Sequence, residues 1–208
     1  KFLLKKYKNY QPKKSTHIII GGGDGFMLNS LKKLYKYNKP FYGINCGSYG
    51  FLMNNYNFEK LEKKIVKSKK ISIDALSINV LSDKNNKNKI IAINELSLFR
   101  QSRQTASLSL KVGKKNLIKK LIGDGVLVST PAGSTAYNLS IHGPILDLDS
   151  GKLAITPISP FRPRRWWGKI ISSRSEVILF NLDPKKRPVA AVADNIEIRN
   201  VKKVTVKT

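Results

Sequence analysis

The stretch HIIIGGGDGFML at 17–28 limits the choice of fold more sharply than any other part of the chain. Three β-branched residues, Ile18, Ile19 and Ile20, favour a buried strand, and the glycines Gly21–Gly23 stop it. Beyond them Phe26, Met27, Leu28, Leu31, Leu34 and Tyr35 recur at helical spacing over 25–37. A short apolar strand at 17–22 that runs through a glycine turn into a helix is the start of a parallel α/β layer. A second short strand is expected at PFYGIN, 40–45. A second amphipathic helix is expected at 58–70, with Phe58, Leu61, Ile65 and Val66 on one side. Residues 1–16, basic and polar with Pro12, read as a helix remnant and linker.

After Lys70 the apolar period changes to two. ISIDALSINVL, IIAINELSLF, ASLSLKV and NLIKKLIGDGVLVS are β-rich and separated by turn signals such as SDKNNKN and VGKKN. SEVILF, RPVAAV, NIEIRN and KKVTVK continue the pattern to the end. The chain therefore divides near 68–71. A Rossmann-like α/β domain, incomplete at its start, is expected over 1–69. An all-β, sandwich-like domain of mostly antiparallel sheet is expected over 70–208.

Composition narrows the partners. The 208 residues, 41% of them hydrophobic, suffice for one large or two small domains. The single cysteine, Cys46, excludes an internal disulfide and fits a reducing cytoplasm. No apolar run reaches the ~18 residues of a spanning helix, so no membrane partner is expected. The formal charge of +26 suggests a polyanion partner. Most of the excess is lysine, however, spread along the chain among Asn and Ile. Zinc spacing, a basic helix with heptads and an aromatic RNA-binding signature are all missing from the sequence, so nucleic acid is not the expected partner. The same field attracts small polyanions such as nucleotides.

Three motifs carry chemistry. GGGDG at 21–25 ends a parallel strand where open α/β sheets bind ligands, and the following helix offers free N–H groups to phosphate. It is neither a Walker loop nor the GxGxxG fingerprint. Asp24 would repel phosphate. Its sensible tasks are to bind Mg²⁺ or to accept a proton from a hydroxyl, the plain alternative being a helix N-cap. INEL at 93–96 puts Asn94 and Glu95 inside an apolar strand, where a ribose diol would satisfy them; the alternative is a bulge or a strand end in solvent. GDGVLVSTPAGSTAYNLS at 123–140 reads as a strand over 125–129, a tight hydroxyl-rich loop around Pro131 and Gly133, and a short helix. Such a loop suits a nucleotide.

Together these motifs resemble the NAD kinase family, in its bacterial form, from about Thr16 to Val206. GINCGSYGFLMN at 43–54 and ITPISPFRPRRWWG at 155–168 share the likeness. The resemblance implies transfer of the γ-phosphate of ATP to the 2′-hydroxyl of the adenosine ribose of NAD, giving NADP. It implies Mg²⁺ or another divalent cation, and a homodimer or homotetramer. It implies Asp24 as catalytic proton acceptor, with Gly25 giving backbone access to the nucleotide. Asn94 and Glu95 would contact adenosine and its ribose; Ala132, Thr135, Ala136, Tyr137, Asn138 and Ser140 would form the adenosine-side loop. Asp124 would meet the nicotinamide end across a subunit interface. No protein metal ligand is implied. The competing readings are another GGDG kinase, acting on a lipid or a sugar, and a basic nucleic-acid-binding module; the NE pair and STPAGSTAYN oppose both.

The chain departs from the family pattern at several positions. Phe26 stands where many members have Thr, Ile122 where some have a basic residue, Cys46 where a basic or polar residue is frequent, and His142 where a small one is commoner. With Asp24 as base, His142 is expected to be a loop residue rather than a catalyst. Arg162, Arg164 and Arg165, beside Trp166 and Trp167, could reach a polyphosphate or form an interface. The resemblance also implies a further strand and helix ahead of residue 1 and a further segment after residue 208.

Overall fold

The computed structural model describes residues 2–48, 50–57, 59–83 and 86–208, which form two compact units, Lys1–Lys70 and Ile71–Thr208. The first is a partial α/β layer. Its two strands, β1 (Ile18–Gly22) and β2 (Phe41–Asn45), pair in parallel from Ile18 opposite Phe41 to Gly22 opposite Asn45. Three helices accompany them: α1 (Phe2–Lys6), α2 (Asp24–Leu34) and α3 (Leu61–Lys67). Parallel strands need a crossover, and α2 with the 3-10 turn Tyr35–Tyr37 supplies it. Ile20, Met27, Ile44 and Leu61 form the buried centre.

The helix expected over 58–70 is shorter than its pattern. Only one turn each side of Lys64 is helical, Val66 is 83% exposed, and Phe58 lies outside the described residues. Phe26 and Tyr35 also face solvent, so the apolar stripe of α2 is narrower than its sequence.

Among the described residues the second unit is all β apart from the 3-10 turn Ala132–Thr135 and a short helix at Tyr137–Ser140. Twelve strands form two six-stranded antiparallel sheets. In chain order they are β3 (Leu76–Ser82), β4 (Lys87–Ala92), β5 (Glu95–Arg100), β6 (Ala106–Val112), β7 (Lys115–Gly123) and β8 (Gly125–Ser129). Then come β9 (Lys152–Ile158), β10 (Lys169–Ser172), β11 (Val177–Asn181), β12 (Val189–Ala193), β13 (Ile196–Ile198) and β14 (Val201–Lys207). One sheet has the order β10-β9-β8-β5-β12-β13 and the other β4-β3-β14-β11-β6-β7. Their inner faces share one core: Leu76, Ile78 and Val80 from β3, Leu96 and Leu98 from β5, Leu108 and Leu110 from β6, Val204 and Val206 from β14. Alternating burial along β3 matches a half-buried strand, whereas β8 is buried at every position because it is covered on both faces.

Two apolar runs of the sequence each cross from one sheet to the other; the first reads as a single strand in the sequence, and the second is expected from the sequence to start a strand at 125. IIAINELSLF is the end of β4 and the first five residues of β5, in different sheets, so Asn94 is a corner residue rather than a strand-interior one, and Glu95 opens the new strand. NLIKKLIGDGVLVS likewise changes sheet at Asp124, between β7 and β8. β9 and β10 lack a readable pattern. β9 is buried after its first residue and contains Pro157, which argues against a central strand. The proline is accommodated because β10 pairs only with 152–155, leaving β9 locally an edge at Pro157.

Candidate active site

In the first unit β1 stops at Gly22, Gly23 is the extended N-cap residue, and α2 begins at Asp24. Asp24 is thus the first residue of the helix and not its cap. Its carboxylate reaches forward instead: Oδ2 accepts the Phe51 N–H at 2.8 Å and Oδ1 the Leu52 N–H at 3.1 Å. The turn is tied to β2 by the Cys46 N–H, which donates to the Gly22 carbonyl at 2.8 Å. A negative charge in the first turn of α2 is favoured by the helix dipole. The carboxylate is therefore held in one orientation, part-exposed, with lone pairs beyond the two already used. Gly25 is exposed beside it. The sequence pointed to Asp24 but not to its anchoring by 51–52.

In the second unit three chain segments meet at the corner between β4 and β5. Asp194, in the left-handed turn between β12 and β13 (φ 49°), accepts the N–H groups of Ile93, Asn94 and Glu95 at 2.9, 3.0 and 3.2 Å. Thr130, fully buried after β8, handles the carbonyls. Its Oγ1 donates to the Ile93 oxygen at 2.6 Å, and its N–H donates to the Asn94 oxygen at 2.8 Å. Gly133 lies so close that a Cβ there would overlap the Asn94 carbonyl. The corner is thus clamped on both sides of its backbone. Among the described residues the Asn94 Oδ1 is buried without a hydrogen-bond partner. A buried acceptor left open is costly unless something donates to it.

The loop after β8 divides into two sets of residues. Ser134 and Asn138 are fully buried and turned inward. The Ser134 hydroxyl donates to the Pro131 oxygen at 2.6 Å and accepts the Leu146 N–H at 3.0 Å. The Asn138 amide donates to the Ser134 and Pro144 oxygens at 3.2 and 2.9 Å, and its oxygen accepts the Thr156 hydroxyl at 2.7 Å. Asn138 therefore braces the loop from within, and Ala132 is buried with it. Thr135, Ala136, Tyr137 and Ser140 are displayed at the surface, on the 3-10 turn Ala132–Thr135 and the short α4 (Tyr137–Ser140). Half of the hydroxyls that made the loop look like a ligand cradle are spent on building it.

Asp124 occupies the other end of the β5–β8 pair. Its Oδ1 accepts Arg100 Nε at 2.5 Å, its carbonyl accepts the Arg100 N–H at 2.9 Å, and its own N–H donates to the Ile158 oxygen at 2.9 Å. Glu95 pairs with Ser129 at the opposite end of the same two strands. At about 3.4 Å per residue, five steps of β8 separate the ends by roughly 17 Å. Tyr137 lies between them electrostatically. Burial pushes its phenol above the usual tyrosine range, and the charges of Asp124 and then Glu95 raise it further. Asp124, Tyr137 and Glu95 are thereby brought into one field, and Arg100 pairs with Asp124 within it. Arg100 and Asp194 carry no signal in the sequence, because they are linked to the site through long-range pairing.

Among the described residues no three His, Cys, Asp or Glu side chains stand close enough to hold a metal ion. Among them, too, no helix is long and apolar enough to cross a membrane. His142 sits in the loop after α4 in a left-handed conformation. The Arg162 and Arg164 guanidinium groups both stack on Phe161, and the Arg162 backbone bridges to Ile122.

Residues 93–207, more than half of the chain, match the family model of the ATP-NAD kinase C-terminal domain. The NAD kinase of Zymomonas mobilis is 45% identical over 206 residues, 98% of this chain and 80% of that protein. The NAD kinase of Brucella melitensis is 44% identical over 207 residues, 100% of this chain and 80% of that protein. Among solved structures, yeast NADH kinase complexed with NADH superposes with a TM-score of 0.79 at 23% identity, over 93% of this chain and 58% of that one. An NAD kinase from Archaeoglobus fulgidus in complex with ATP gives 0.77 at 24% identity, over 97% and 78%. The structural likeness shares the fold, and the sequence relatives carry the assignment: the chain belongs to the NAD kinase family.

Proposed function

We propose that the chain transfers the γ-phosphate of ATP to the 2′-hydroxyl of the adenosine ribose of NAD, giving NADP and ADP. The observation that carries this reading to particular residues is the clamped corner at 93–95, with the open Asn94 Oδ1 acceptor beside Glu95. An adenine amino group or a ribose hydroxyl is a donor of the kind such an acceptor requires. Thr135, Ala136, Tyr137 and Ser140 extend the adenosine-side surface, with Ala132 and Asn138 supporting it from beneath. The unit 1–69 carries the catalytic turn and the unit 70–208 the NAD-binding loop.

In the chemical step the ribose oxygen attacks the γ-phosphorus, the bond to the ADP oxygen breaks, and the 2′-hydroxyl proton passes to Asp24. A protonated hydroxyl is a weak nucleophile, so a carboxylate fixed by two backbone N–H groups, with lone pairs to spare, has a purpose at that point. Gly25 leaves the start of α2 open to the nucleotide. The remainder of such a reaction is alignment and neutralisation of charge. A divalent cation, Mg²⁺ by preference, would supply neutralisation of the phosphate charge when bound.

The active species is a homodimer or homotetramer in the cytoplasm, with Asp124 directed to the nicotinamide end of NAD bound by a neighbour. The test is Asp24→Asn, which keeps shape and removes basicity. Its kcat for NADP formation is expected to fall about 10²- to 10⁴-fold with little change in NAD affinity. A near-normal kcat would refute the assignment.

A further inference from the structure

We propose that Arg100 determines how strongly the enzyme distinguishes oxidised from reduced acceptor, by offsetting the charge of Asp124. The inference rests on the reading that Asp124 faces the nicotinamide end. The nicotinamide ring carries a positive charge in NAD and none in NADH. A bare carboxylate beside it favours the oxidised form by simple attraction. Asp124 is not bare. Arg100 Nε donates to its Oδ1 at 2.5 Å, Arg100 Nη1 is anchored on the Ser102 carbonyl at 2.7 Å, and the two backbones are bonded to each other. The guanidinium is thus held at two points and cannot swing away without losing both. Its plane also lies over the Phe99 ring.

The offset is partial. Side chains about 30% exposed on both partners leave the pair neither dry nor fully screened. One half-compensated carboxylate is therefore poised to read the acceptor's charge weakly. Removing the guanidinium unmasks it. Removing the carboxylate leaves a lone cation that repels NAD and tolerates NADH.

The experiment measures kcat/KM for NAD and for NADH in the purified enzyme and takes their ratio. Arg100→Gln keeps a donor near Asp124 and removes the charge; the ratio is expected to rise about three- to ten-fold toward NAD. Asp124→Asn is expected to lower it. Arg100→Lys, which keeps the charge and loses the fork, is expected to stay close to the wild-type ratio. Should Arg100→Gln be too unstable to assay, Arg100→Met, which retains the stem over Phe99, carries the same expectation. A ratio unmoved by Arg100→Gln but lowered by Asp124→Asn overturns the role of Arg100 while leaving Asp124 at the nicotinamide end. A ratio unmoved by both refutes that placement and the inference with it. A shift in Arg100→Lys equal to that in Arg100→Gln assigns the effect to geometry and overturns the charge argument.

Discussion

Asp194 is the residue whose loss tests the architecture of the nucleotide corner most directly. Its two carboxylate oxygens accept three backbone N–H groups from 93–95, about a hundred residues away in the chain. Asp194→Asn keeps a residue that tolerates the left-handed turn at φ 49°. The amide oxygen can still serve two of the three donors. The amide nitrogen then confronts the third N–H, which is left without an acceptor. An unsatisfied buried donor costs about 1–3 kcal/mol, and two charge-assisted bonds become neutral ones, at roughly 0.5–1 kcal/mol each. Part of this is recovered by water, because the turn is only part-buried. The expected net loss is about 2–4 kcal/mol, a large share of the ~5–15 kcal/mol that holds a typical domain together. Urea denaturation gives this number. The same substitution loosens Asn94 and Glu95, so KM for NAD should rise while kcat changes less. In a double-mutant cycle with Asn94→Ala the two effects on KM should be clearly non-additive, because Asp194 acts through that segment. A denaturation midpoint within error of wild type, or strict additivity on KM, would refute the clamp.

Three further outcomes are expected. Gly133→Ala forces a methyl group onto the Asn94 backbone, and should cost about 3 kcal/mol in stability and weaken NAD binding by calorimetry; unchanged thermal unfolding would contradict the close approach. The Tyr137 phenol is raised in the folded chain, so its share of stability is intact below the ordinary tyrosine value of 10.0 and lost as pH climbs through the folded value. Wild type and Tyr137→Phe should therefore differ by a constant amount up to about that pH and diverge above it in urea titrations; a difference that changes between pH 6 and 9 would contradict this. Co-refolding Asp24→Asn with Asp124→Ala should restore NADP formation above either parent, since some sites would then hold both wild-type residues; parental activity in demonstrated mixed oligomers would remove Asp124 from the neighbour's site.

Much of this protein is local information. The β1–turn–α2 unit follows from three isoleucines, three glycines and a helical stripe, because period and turn chemistry act within a dozen residues. The change to period two after Lys70 marked the β-rich unit for the same reason. The NE pair and the loop at 129–140 were likewise legible as polar groups in apolar surroundings. What the sequence withheld was partnership. Periodicity reports which face of a strand is buried, not which strand lies beside it. INEL therefore reads as one continuous strand, whereas the sheets exchange at Asn94. β9 was hidden by burial on both faces and by Pro157. In the loop, composition could not separate hydroxyls that face a ligand from Ser134 and Asn138, which hold the loop itself. Asp194 and Arg100 look like ordinary surface charges until strand pairing carries one to the backbone of 93–95 and the other to Asp124. Contacts of that kind leave no local signature, because the chain between the partners is free to vary, and only the closed sheets bring them to bonding distance.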